Sequence, residues 1–406
     1  MKQSDIFIIG GGASGMIAAI IAKQNHANVT ILERNPKVGK KILATGNGRC
    51  NYTNALAQTL HYNHPEFVEK AFSQFGPTET LRFFENLGIV PKIEEQGKTY
   101  PLSEQASSIV DVLLYELERL NVEIIVEAFV IQLIRKHQKF IIILSDGTQY
   151  EASKVILCTG GKAMPLSGSD GMGYELARKL GHQLTVIFPS LVKLTLQSPY
   201  LKHLEGVKFP GRVELLYNNE TIQSEFGDIL FTKYGISGPT ILQLSRKANE
   251  SMALNKTVII KVVLVTQLQR MDVVRRFQNA IDRPVDFSLI GLIHKKIIPA
   301  ILKEAGIDKN HRLVSEISQT KIDKIIELLF DWRFTVTGSK SFEDAQVTAG
   351  GIKIEEINPE TMESKLVKNL YFAGEIIDID GLCGGYNLQW AWSSGYLAGL
   401  NASQEG

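Results

Sequence analysis

The feature that most limits how this chain can fold is a glycine-rich turn close to its start. Gly10, Gly12 and Gly15 form the spacing G-x-G-x-x-G between an apolar strand pattern and a helical pattern. In a βαβ unit these glycines permit the tight turn, the approach of a pyrophosphate and close helix packing, in that order. Glu33 ends the next strand pattern, where a carboxylate binds ribose hydroxyls and disfavours a 2′-phosphate. The pattern predicts a dinucleotide site with the residues Gly10, Gly12, Ala13, Ser14, Gly15, Glu33 and Arg34.

Length and composition limit the class of protein. A chain of 406 residues exceeds what one core normally holds, so we expect more than one domain. Its 44 basic and 43 acidic residues give a net charge of +1, which predicts no nucleic-acid partner and no membrane partner. Three distant cysteines and the lack of an apolar run of about 18 residues predict a cytoplasmic protein without a membrane span. The oligomeric state stays open.

Strand and helix patterns divide the chain into an interrupted α/β domain and an insert. We expect one domain from residues 1–188 and 340–406, because both ends carry a strand, a glycine turn and a helix. Alternating apolar residues predict a β-rich insert over 189–266 and 331–339, with a helical subdomain over 267–330. The first part also predicts one helical stretch over 66–87.

A second glycine-rich segment helps to separate FAD from NAD, which the first fingerprint does not do. The segment from Gly39 to Asn51 combines three glycines with basic side chains, a composition that suits a backbone nest for anions. Its amides and Arg49 would run along the pyrophosphate towards a flavin ring. The alternative is a solvated basic loop. The candidate residues are Lys40, Asn47, Gly48, Arg49, Cys50 and Asn51.

Two further strand ends carry glycines and complete the prediction of FAD as the cofactor. One ends in Thr159, Gly160 and Gly161, and the other ends in Gly374 and Glu375. The backbone amides at the N-terminus of the last helix suit the N1/O2 edge of a flavin. The alternative is an ordinary helix cap. The candidate residues at this helix start are Gly385, Tyr386, Asn387 and Leu388.

Five segments together resemble a known family. They are residues 10–15, 39–54, 231–239, 347–351 and 374–395, and they are similar to the bacterial aminoacetone-oxidase-type and bile-acid-reductase-like FAD flavoproteins. The resemblance extends over nearly the whole chain and, more distantly, to the fumarate-reductase and glutathione-reductase flavoproteins. It implies an α/β fold with a Rossmann-like FAD-binding domain of that type, a β-barrel-like insert and a small helical subdomain. It also implies that Val130 presents its backbone to the adenine.

The chain shows no spacing typical of a catalytic constellation or a metal site. A flavin enzyme needs none, because the cofactor carries the hydride chemistry. We therefore expect an FAD-dependent oxidoreductase that transfers a hydride between flavin and a small or medium organic substrate. Only one complete fingerprint is present, so NAD(P)H would visit as a transient reductant, or oxygen would serve as the electron partner. The alternatives are a non-catalytic flavin-binding redox sensor or interaction module, and an enzyme that modifies nucleic acid through a basic face at 270–276.

Three smaller features carry expectations of their own. The segment from Phe231 to Pro239 either lines the substrate cavity or forms a turn that crosses between domains. Cys50 and Cys383 form a redox pair only if the fold brings them together. His182 has no ligand-like spacing, which favours a surface or packing residue over a metal ligand.

Overall fold

The computed structural model describes residues 2–308 and 311–404, which form two compact units. The first unit comprises the chain up to Pro189 and again from Phe342 onward, and the barrel unit comprises Ser190–Ser341. The predicted three-part division, with a separate helical subdomain at 267–330, stays a prediction.

The first segment of the first unit contains ten strands and six helices. Its strands are β1 (Lys2–Ile9), β2 (Val29–Leu32), β3 (Thr53–Asn54), β4 (Pro91–Ile93), β5 (Lys98–Pro101), β6 (Glu123–Ile125), β7 (Val130–Lys136), β8 (Lys139–Leu144), β9 (Gln149–Leu157) and β10 (Phe188–Ser190), the last of which ends at the unit boundary. Its helices are α1 (Ala13–Gln24), α2 (Lys40–Ala44), α3 (Pro65–Phe75), α4 (Pro77–Asn86), α5 (Ala106–Arg119) and α6 (Met172–Lys179).

The barrel unit follows, and the chain then returns to the first unit. The barrel unit contains strands β11 (Leu194–Gln197), β12 (Lys208–Tyr217), β13 (Glu220–Thr232), β14 (Gly235–Ser237), β15 (Ile259–Val263) and β16 (Trp332–Ser339), with helices α7 (Leu201–Leu204), α8 (Pro239–Ala253), α9 (Arg270–Gln278), α10 (Val285–Leu289), α11 (Ile298–Glu304) and α12 (Gln319–Phe330). The returning segment adds β17 (Val347–Ala349), β18 (Leu370–Phe372) and α13 (Tyr386–Ser403).

The first unit is built on a seven-stranded sheet whose main path runs β6-β2-β1-β9-β8-β7, with β18 paired to β9. β6, β2, β1, β9 and β18 are parallel, while β8 and β7 continue as an antiparallel hairpin. β1 lies between two parallel neighbours, and its residues from Ile6 to Ile9 are all buried, as expected for a strand covered on both faces. The strand from the returning segment therefore completes the sheet that begins at the N-terminus.

Glycines allow α1 to pack closely against α13. A β-carbon at Gly395 would lie 2.5 Å from the carbonyl oxygen of Ser14, and one at Gly399 would lie 2.4 Å from that of Ala18. Both values are too short for any side chain, so these glycines are required for the two helices to approach. The contact joins the first and last helices of the first unit.

The barrel unit is a closed barrel in the order β11-β14-β13-β12-β15-β16. Its core includes three aromatic rings, with the Trp332 and Phe334 centroids 4.7 Å apart and Phe231 5.8 Å from each. Helices α9 to α12 contribute buried Phe277, Leu289 and other apolar residues to the same hydrophobic core. Closure of the sheet leaves no free edge strand, which removes a common site of unwanted strand pairing.

One expectation from the sequence is wrong, and one of two alternatives for another segment is excluded. The helical stretch over 66–87 is divided into α3 and α4, because Gly76 and Pro77 interrupt it. Proline removes a helical donor and is tolerated only in a first turn, where Pro77 stands. The segment from Phe231 to Pro239 does not cross between domains, since it lies within the barrel unit as the end of β13, β14 and the start of α8.

Candidate FAD-binding site

The fingerprint turn at the end of β1 contains glycines of two kinds. Gly10 has φ +106°, and a β-carbon there would lie 2.4 Å from the carbonyl oxygen of Cys158. A β-carbon at Gly15 would lie 1.9 Å from the carbonyl oxygen of Gly10. Gly12 differs, because its φ of −82° and ψ of −166° suit any residue and a β-carbon there would meet nothing within 4 Å. The fold requires glycine at positions 10 and 15, whereas Gly12 leaves open space of the kind that a pyrophosphate needs.

The N-terminus of α1 follows this open space. Its first intrahelical bond runs from the Met16 amide to the Gly12 carbonyl at 3.0 Å. The amides of Ala13 and Ser14 precede that bond and therefore have no partner within the helix. Together with the positive end of the helix dipole, they suit a phosphate anion.

Glu33 is held against the fingerprint turn at the end of β2. One carboxylate oxygen accepts the Gly11 amide at 2.8 Å, and the other accepts the backbone and side-chain nitrogens of Asn35 at 2.8 and 2.7 Å. Glu33 is only 7 % exposed, so these bonds fix its orientation. Each carboxylate oxygen has two acceptor sites, which leaves capacity for a ribose hydroxyl.

The candidate adenine contact, Val130, is brought next to Glu33 by a backbone hydrogen bond. The Ala128 amide donates to the Glu33 carbonyl at 2.9 Å, and β7 starts two residues later at Val130. Arg34 lies over the Phe129 ring at 4.1 Å and pairs with Asp170 at 2.5 Å. The residues expected around the adenosine therefore share one end of the sheet.

Two buried hydroxyls without partners mark the end of β9. They are Thr159 Oγ1 and Ser169 Oγ. A β-carbon at Gly160 would lie 2.8 Å from Ser169 Oγ, so this hydroxyl faces the glycine turn. A buried hydroxyl left unpaired costs about 1–3 kcal/mol, which a polar ligand would offset. Ser169 Oγ, with the open space at Gly12, fits a bound dinucleotide, whereas Thr159 Oγ1 faces Gly173 of α6, whose β-carbon would lie 1.8 Å away.

The loop from Thr45 to Asn51 has the backbone expected of an anion nest. Gly46, Asn47, Gly48 and Cys50 all have φ between +56° and +84°. A β-carbon at Gly48 would meet nothing within 4 Å, so this position is also open. Arg49 is right-handed, with φ −91° and ψ −22°, and Cys50 after it is left-handed, which is the conformation of an anion nest, although the amides of Arg49 and Cys50 donate to the Gly46 and Thr45 carbonyls at 3.2 and 3.1 Å.

Arg49 does not extend freely from this loop. Its guanidinium pairs with Glu94 at 2.5 Å and Glu104 at 3.0 Å, and it lies over the Tyr100 ring at 4.0 Å. The hydrogen bond from Arg49 lowers the pKa of the Glu94 carboxyl. The charge that the sequence assigned to the pyrophosphate therefore pairs with two carboxylates, which Arg49 shares with Lys92.

The C-terminal motif meets the fingerprint at the start of α1. Ser14 Oγ donates to the Ala373 carbonyl at 3.3 Å. A β-carbon at Gly374 would lie 2.6 Å from Ser14 Oγ. Glu375 accepts the Thr348 amide at 2.8 Å and forms an ion pair with Lys41 at 2.6 Å. Residues more than 300 positions apart thus share one site.

The start of α13 is closely packed against the segment that follows the 45–51 loop. Gly385 has φ +96°, and a β-carbon there would lie 2.3 Å from the Thr53 carbonyl oxygen. The Gln389 amide donates to the Gly385 carbonyl at 3.0 Å, which leaves the amides of Tyr386, Asn387 and Leu388 before the first intrahelical bond.

Two side chains at this helix start are already engaged. Asn387 Oδ1 accepts the Gly381 amide at 2.9 Å and its Nδ2 donates to the Gly381 carbonyl at 3.0 Å. Tyr386 is 8 % exposed, its ring centroid is 5.0 Å from that of His61, and its carbonyl accepts the Tyr62 hydroxyl at 2.8 Å. The donors at this helix start are therefore backbone amides and the Tyr386 hydroxyl, since the Asn387 carboxamide is occupied.

A comparison with protein families decides what class of site this is. A model described as the HI0933-like protein Rossmann domain matches residues 4–401, which is nearly the whole chain. The chain belongs to this family. It is a flavoprotein of the FAD-dependent oxidoreductase class, as the resemblance of its motifs implied.

The relatives that this chain matches over nearly their full lengths are named for two different reactions. The chain is 39% identical over 407 residues to a 3-dehydro-bile acid delta(4,6)-reductase of Clostridium scindens, covering 98% of this chain and 99% of the relative. It is 30% identical to the ribosomal RNA dihydrouridine synthases of Haemophilus influenzae and Escherichia coli, which it covers over 100% and 97% of their lengths. The expectation of no nucleic-acid partner thus stays a prediction.

Solved structures confirm the fold of the family member. A 3-ketosteroid-delta4-(5alpha)-dehydrogenase from Rhodococcus jostii has a TM-score of 0.50 at 13% identity, over 99% of this chain and 97% of its own. Quinol fumarate reductase FrdA of Escherichia coli has a TM-score of 0.51 at 17% identity, over 99% and 70%. The expected Rossmann-like α/β fold of the fumarate-reductase type is confirmed.

The sequence did not identify several residues that the structure places in the site. Lys41, rather than Lys40, pairs with Glu375, while Lys40 donates to the Leu166 carbonyl at 2.5 Å. Thr348 Oγ1 accepts the Lys162 amide at 2.7 Å, directly after Gly161. Thr348 lies in one of the segments that carry the family resemblance, which is the signal that would have found it.

The cysteines and potential metal ligands offer no second centre. No disulfide joins Cys50, Cys158 and Cys383, and burial raises the pKa of Cys50 and Cys158 to about 12. Over residues 2–308 and 311–404, no group of three or more His, Cys, Asp or Glu residues could hold a metal ion. No helix in the same ranges is long and apolar enough for a membrane span.

Proposed function

We propose that this protein is an FAD-dependent reductase that adds hydrogen across a carbon–carbon double bond conjugated to a carbonyl group. The observation that carries the proposal is the meeting of the C-terminal motif with the start of α1 within one unit. Ser14, in the first turn of α1, donates to the carbonyl of Ala373, and Ala373 adjoins the Gly374–Glu375 motif that precedes α13.

The residues would divide the work of binding between the two helix starts. The amides of Ala13 and Ser14 would bind the pyrophosphate beside Gly12, and Glu33 would bind the adenosine ribose near Val130. Thr159, Gly160 and Gly161 would line the middle of the cofactor. Gly48 and Asn51 would face the flavin, with Glu375 at the ribityl chain and the amides of Tyr386, Asn387 and Leu388 at the flavin ring.

Bound FAD would supply a hydride donor and acceptor at the site. In the overall reaction, NAD(P)H and a proton reduce the unsaturated substrate, and the products are NAD(P)⁺ and the saturated compound. NAD(P)H would bind only transiently, because only one complete G-x-G-x-x-G fingerprint occurs in the sequence.

The names of the full-length relatives support this choice of reaction. A Δ4,6-reductase of a 3-dehydro bile acid adds hydrogen to double bonds in conjugation with the 3-oxo group. A dihydrouridine synthase leaves uridine with two additional hydrogens, at a double bond in conjugation with a ring carbonyl. Both substrates are electron-poor alkenes, which accept hydride readily. A ring system with this bond is the substrate class that we assign.

The state of the cysteines favours direct transfer from flavin over a thiol relay. Thiolates, rather than thiols, act as nucleophiles in dithiol exchange. Burial raises the pKa of both Cys50 and Cys158 to about 12, so both are protonated at neutral pH. The cysteines would therefore act in packing.

The proposal is tested with the purified protein under anaerobic conditions. NADH and NADPH are added separately, and loss of flavin absorbance is recorded. The reduced protein then receives a 3-oxo-4-ene steroid acid or ribosomal RNA that lacks dihydrouridine. Return of oxidised flavin with formation of the saturated product supports the proposal, and the substrate that reacts distinguishes a small molecule from RNA.

Other outcomes would contradict the proposal in different ways. Bleaching by an amine with rapid reoxidation by oxygen would indicate an oxidase. Stoichiometric FAD that neither nicotinamide nor any alkene changes would indicate the non-catalytic redox sensor or interaction module. A protein that takes up no FAD would contradict the site itself.

A further inference from the structure

The side chain of Gln389 occupies the centre of a buried hydrogen-bond network. Its Oε1 accepts the Thr53 hydroxyl at 2.5 Å, and its Nε2 donates to Thr80 Oγ1 at 2.8 Å and Ser393 Oγ at 2.9 Å. All four side chains are 0 % exposed. The binding site described above uses none of them directly.

The network connects α13 to three other segments. Thr53 follows the 45–51 loop by two residues, and Thr80 belongs to α4. Ser393 extends the network by donating to the Phe75 carbonyl at 2.6 Å, at the end of α3. Gln389 therefore joins the first turn of α13 to the segment after the proposed flavin loop, and Trp392 makes a second bond there, from its Nε1 to the Tyr52 carbonyl at 2.8 Å.

A carboxamide determines position more strictly than an apolar side chain of the same size. Buried polar groups must keep their hydrogen bonds, because an unpaired one costs about 1–3 kcal/mol. A shift of α13 along Thr53 would break such a bond, whereas an apolar contact would simply slide. Fully satisfied buried networks specify one arrangement for this reason.

We infer that Gln389 is a positioning residue that sets where the first-turn amides of α13 lie relative to the 45–51 loop. The inference rests on the proposed function, because those amides are assigned to the flavin ring. Amides and the helix dipole stabilise negative charge, and their effect falls off within about one turn. Reduced flavin carries more negative charge than oxidised flavin at neutral pH. The position of α13 therefore tunes the relative affinity of the site for the two oxidation states.

The test compares two threonines that bind the same carboxamide. Thr53→Val and Thr80→Val remove one hydroxyl each without changing side-chain volume much, and both sites are equally buried. Only Thr53 joins Gln389 to the loop. The reduction potential of the FAD-loaded full-length proteins is measured by dye equilibration, together with FAD content and thermal midpoint.

We expect Thr53→Val to retain FAD. Its affinity for reduced relative to oxidised flavin should fall about tenfold, which lowers the reduction potential by about 30 mV for a two-electron couple. Thr80→Val should lower the thermal midpoint comparably and leave the potential unchanged. Thr53→Ser, which keeps the hydroxyl, should restore the wild-type potential.

Several results would overturn the inference. One is an unchanged potential in Thr53→Val, and another is an equal shift in both valine variants, because that would reflect general loosening. If Thr53→Val does not fold, Gln389→Met takes its place with the same outcomes. Failure of the wild-type protein to bind FAD would instead contradict the proposed function, so the two failures are distinguishable.

Discussion

The two helix N-termini of the candidate site are built in different ways. The start of α1 is positioned mainly within the first βαβ unit, through Gly15 and the Glu33–Gly11 bond, while Gly10 also makes room for the distant Cys158 carbonyl. The start of α13 is positioned by side chains from distant segments, namely Tyr62, Thr53 and Thr80. A phosphate site can thus be encoded locally, whereas the proposed flavin edge depends on tertiary packing.

The largest effect is expected at the start of α1, where the proposed pyrophosphate site lies. Gly12→Val should reduce FAD affinity by ten- to a hundredfold, because overpacking costs about 1–3 kcal/mol and the side chain would fill the space left for the pyrophosphate. The apoprotein should remain folded, since nothing lies within 4 Å of that β-carbon. FAD content and thermal midpoint are the measurements.

Gly15→Val is the matched control for that variant. Its β-carbon would lie 1.9 Å from the Gly10 carbonyl oxygen, so we expect unfolding or a large fall in thermal midpoint. Stoichiometric FAD in the Gly12 variant would contradict the assigned pyrophosphate position.

The next effect concerns the carboxylate at the same end. Glu33→Gln should weaken FAD binding about tenfold, because loss of a charged acceptor that is almost buried costs about 1.5 kcal/mol. Equilibrium titration of apoprotein with FAD measures this. Asp5→Asn changes another carboxylate that accepts a backbone amide, at 3.2 Å from Asn28, and should leave the affinity unchanged.

A smaller effect is expected at the flavin end. Lys41→Met removes the partner of Glu375, an ion pair whose side chains are 23% and 18% exposed. We expect FAD affinity to fall about fivefold, or about 1 kcal/mol, because the pair is only partly screened. Arg178→Met, which breaks an exposed pair with Glu175, should have no effect on the same titration. Equal affinities in both variants would place Glu375 outside the site.

The smallest effect lies outside both helix starts, at His182. Ser364 Oγ accepts the Val367 amide at 2.8 Å, so its proton is free to point at His182 Nε2, 2.9 Å away. The imidazole is then neutral, with Nδ1 donating to Glu356 at 3.0 Å. Burial accordingly lowers the pKa of His182, although Glu356 opposes this.

The sign of the pH effect follows from that direction. Above the ordinary histidine pKa of 6.5, His182 is neutral in both the folded and the unfolded states, so its contribution to the free energy of unfolding is fully present. As the pH falls below 6.5, the unfolded state takes up a proton first, so the free energy of unfolding decreases. Urea unfolding between pH 7.5 and 5 should show this slope, and His182→Gln should reduce it. His203→Gln, at an exposed position, should not.

Local spacing was sufficient to predict the elements that surround α1. The fingerprint, the strand that precedes Glu33 and the hairpin beginning at Val130 depend on residues close in sequence, and all are present. The division of residues 66–87 was missed because an apolar helical pattern continues across Gly76 and Pro77, although proline limits where a helix begins.

Tertiary contacts were not predictable from spacing in the same way. Arg49 was assigned to the pyrophosphate from its place in a basic loop, yet it pairs with Glu94 and Glu104, which lie 45 and 55 residues away. Lys40 and Lys41 are equivalent in a sequence pattern, and only the fold selects Lys41 as the partner of Glu375.

The sequence by itself determined the dinucleotide turn, because its requirements are steric and are met by glycines within a few residues. It also determined the class of cofactor, through motifs at both ends of the chain. The tertiary structure alone decided which side chains hold the start of α13, since the bonds of Gln389 to Thr53 and Thr80 span more than 300 residues. Such bonds form only after the backbone has brought their partners together, so no local pattern records them.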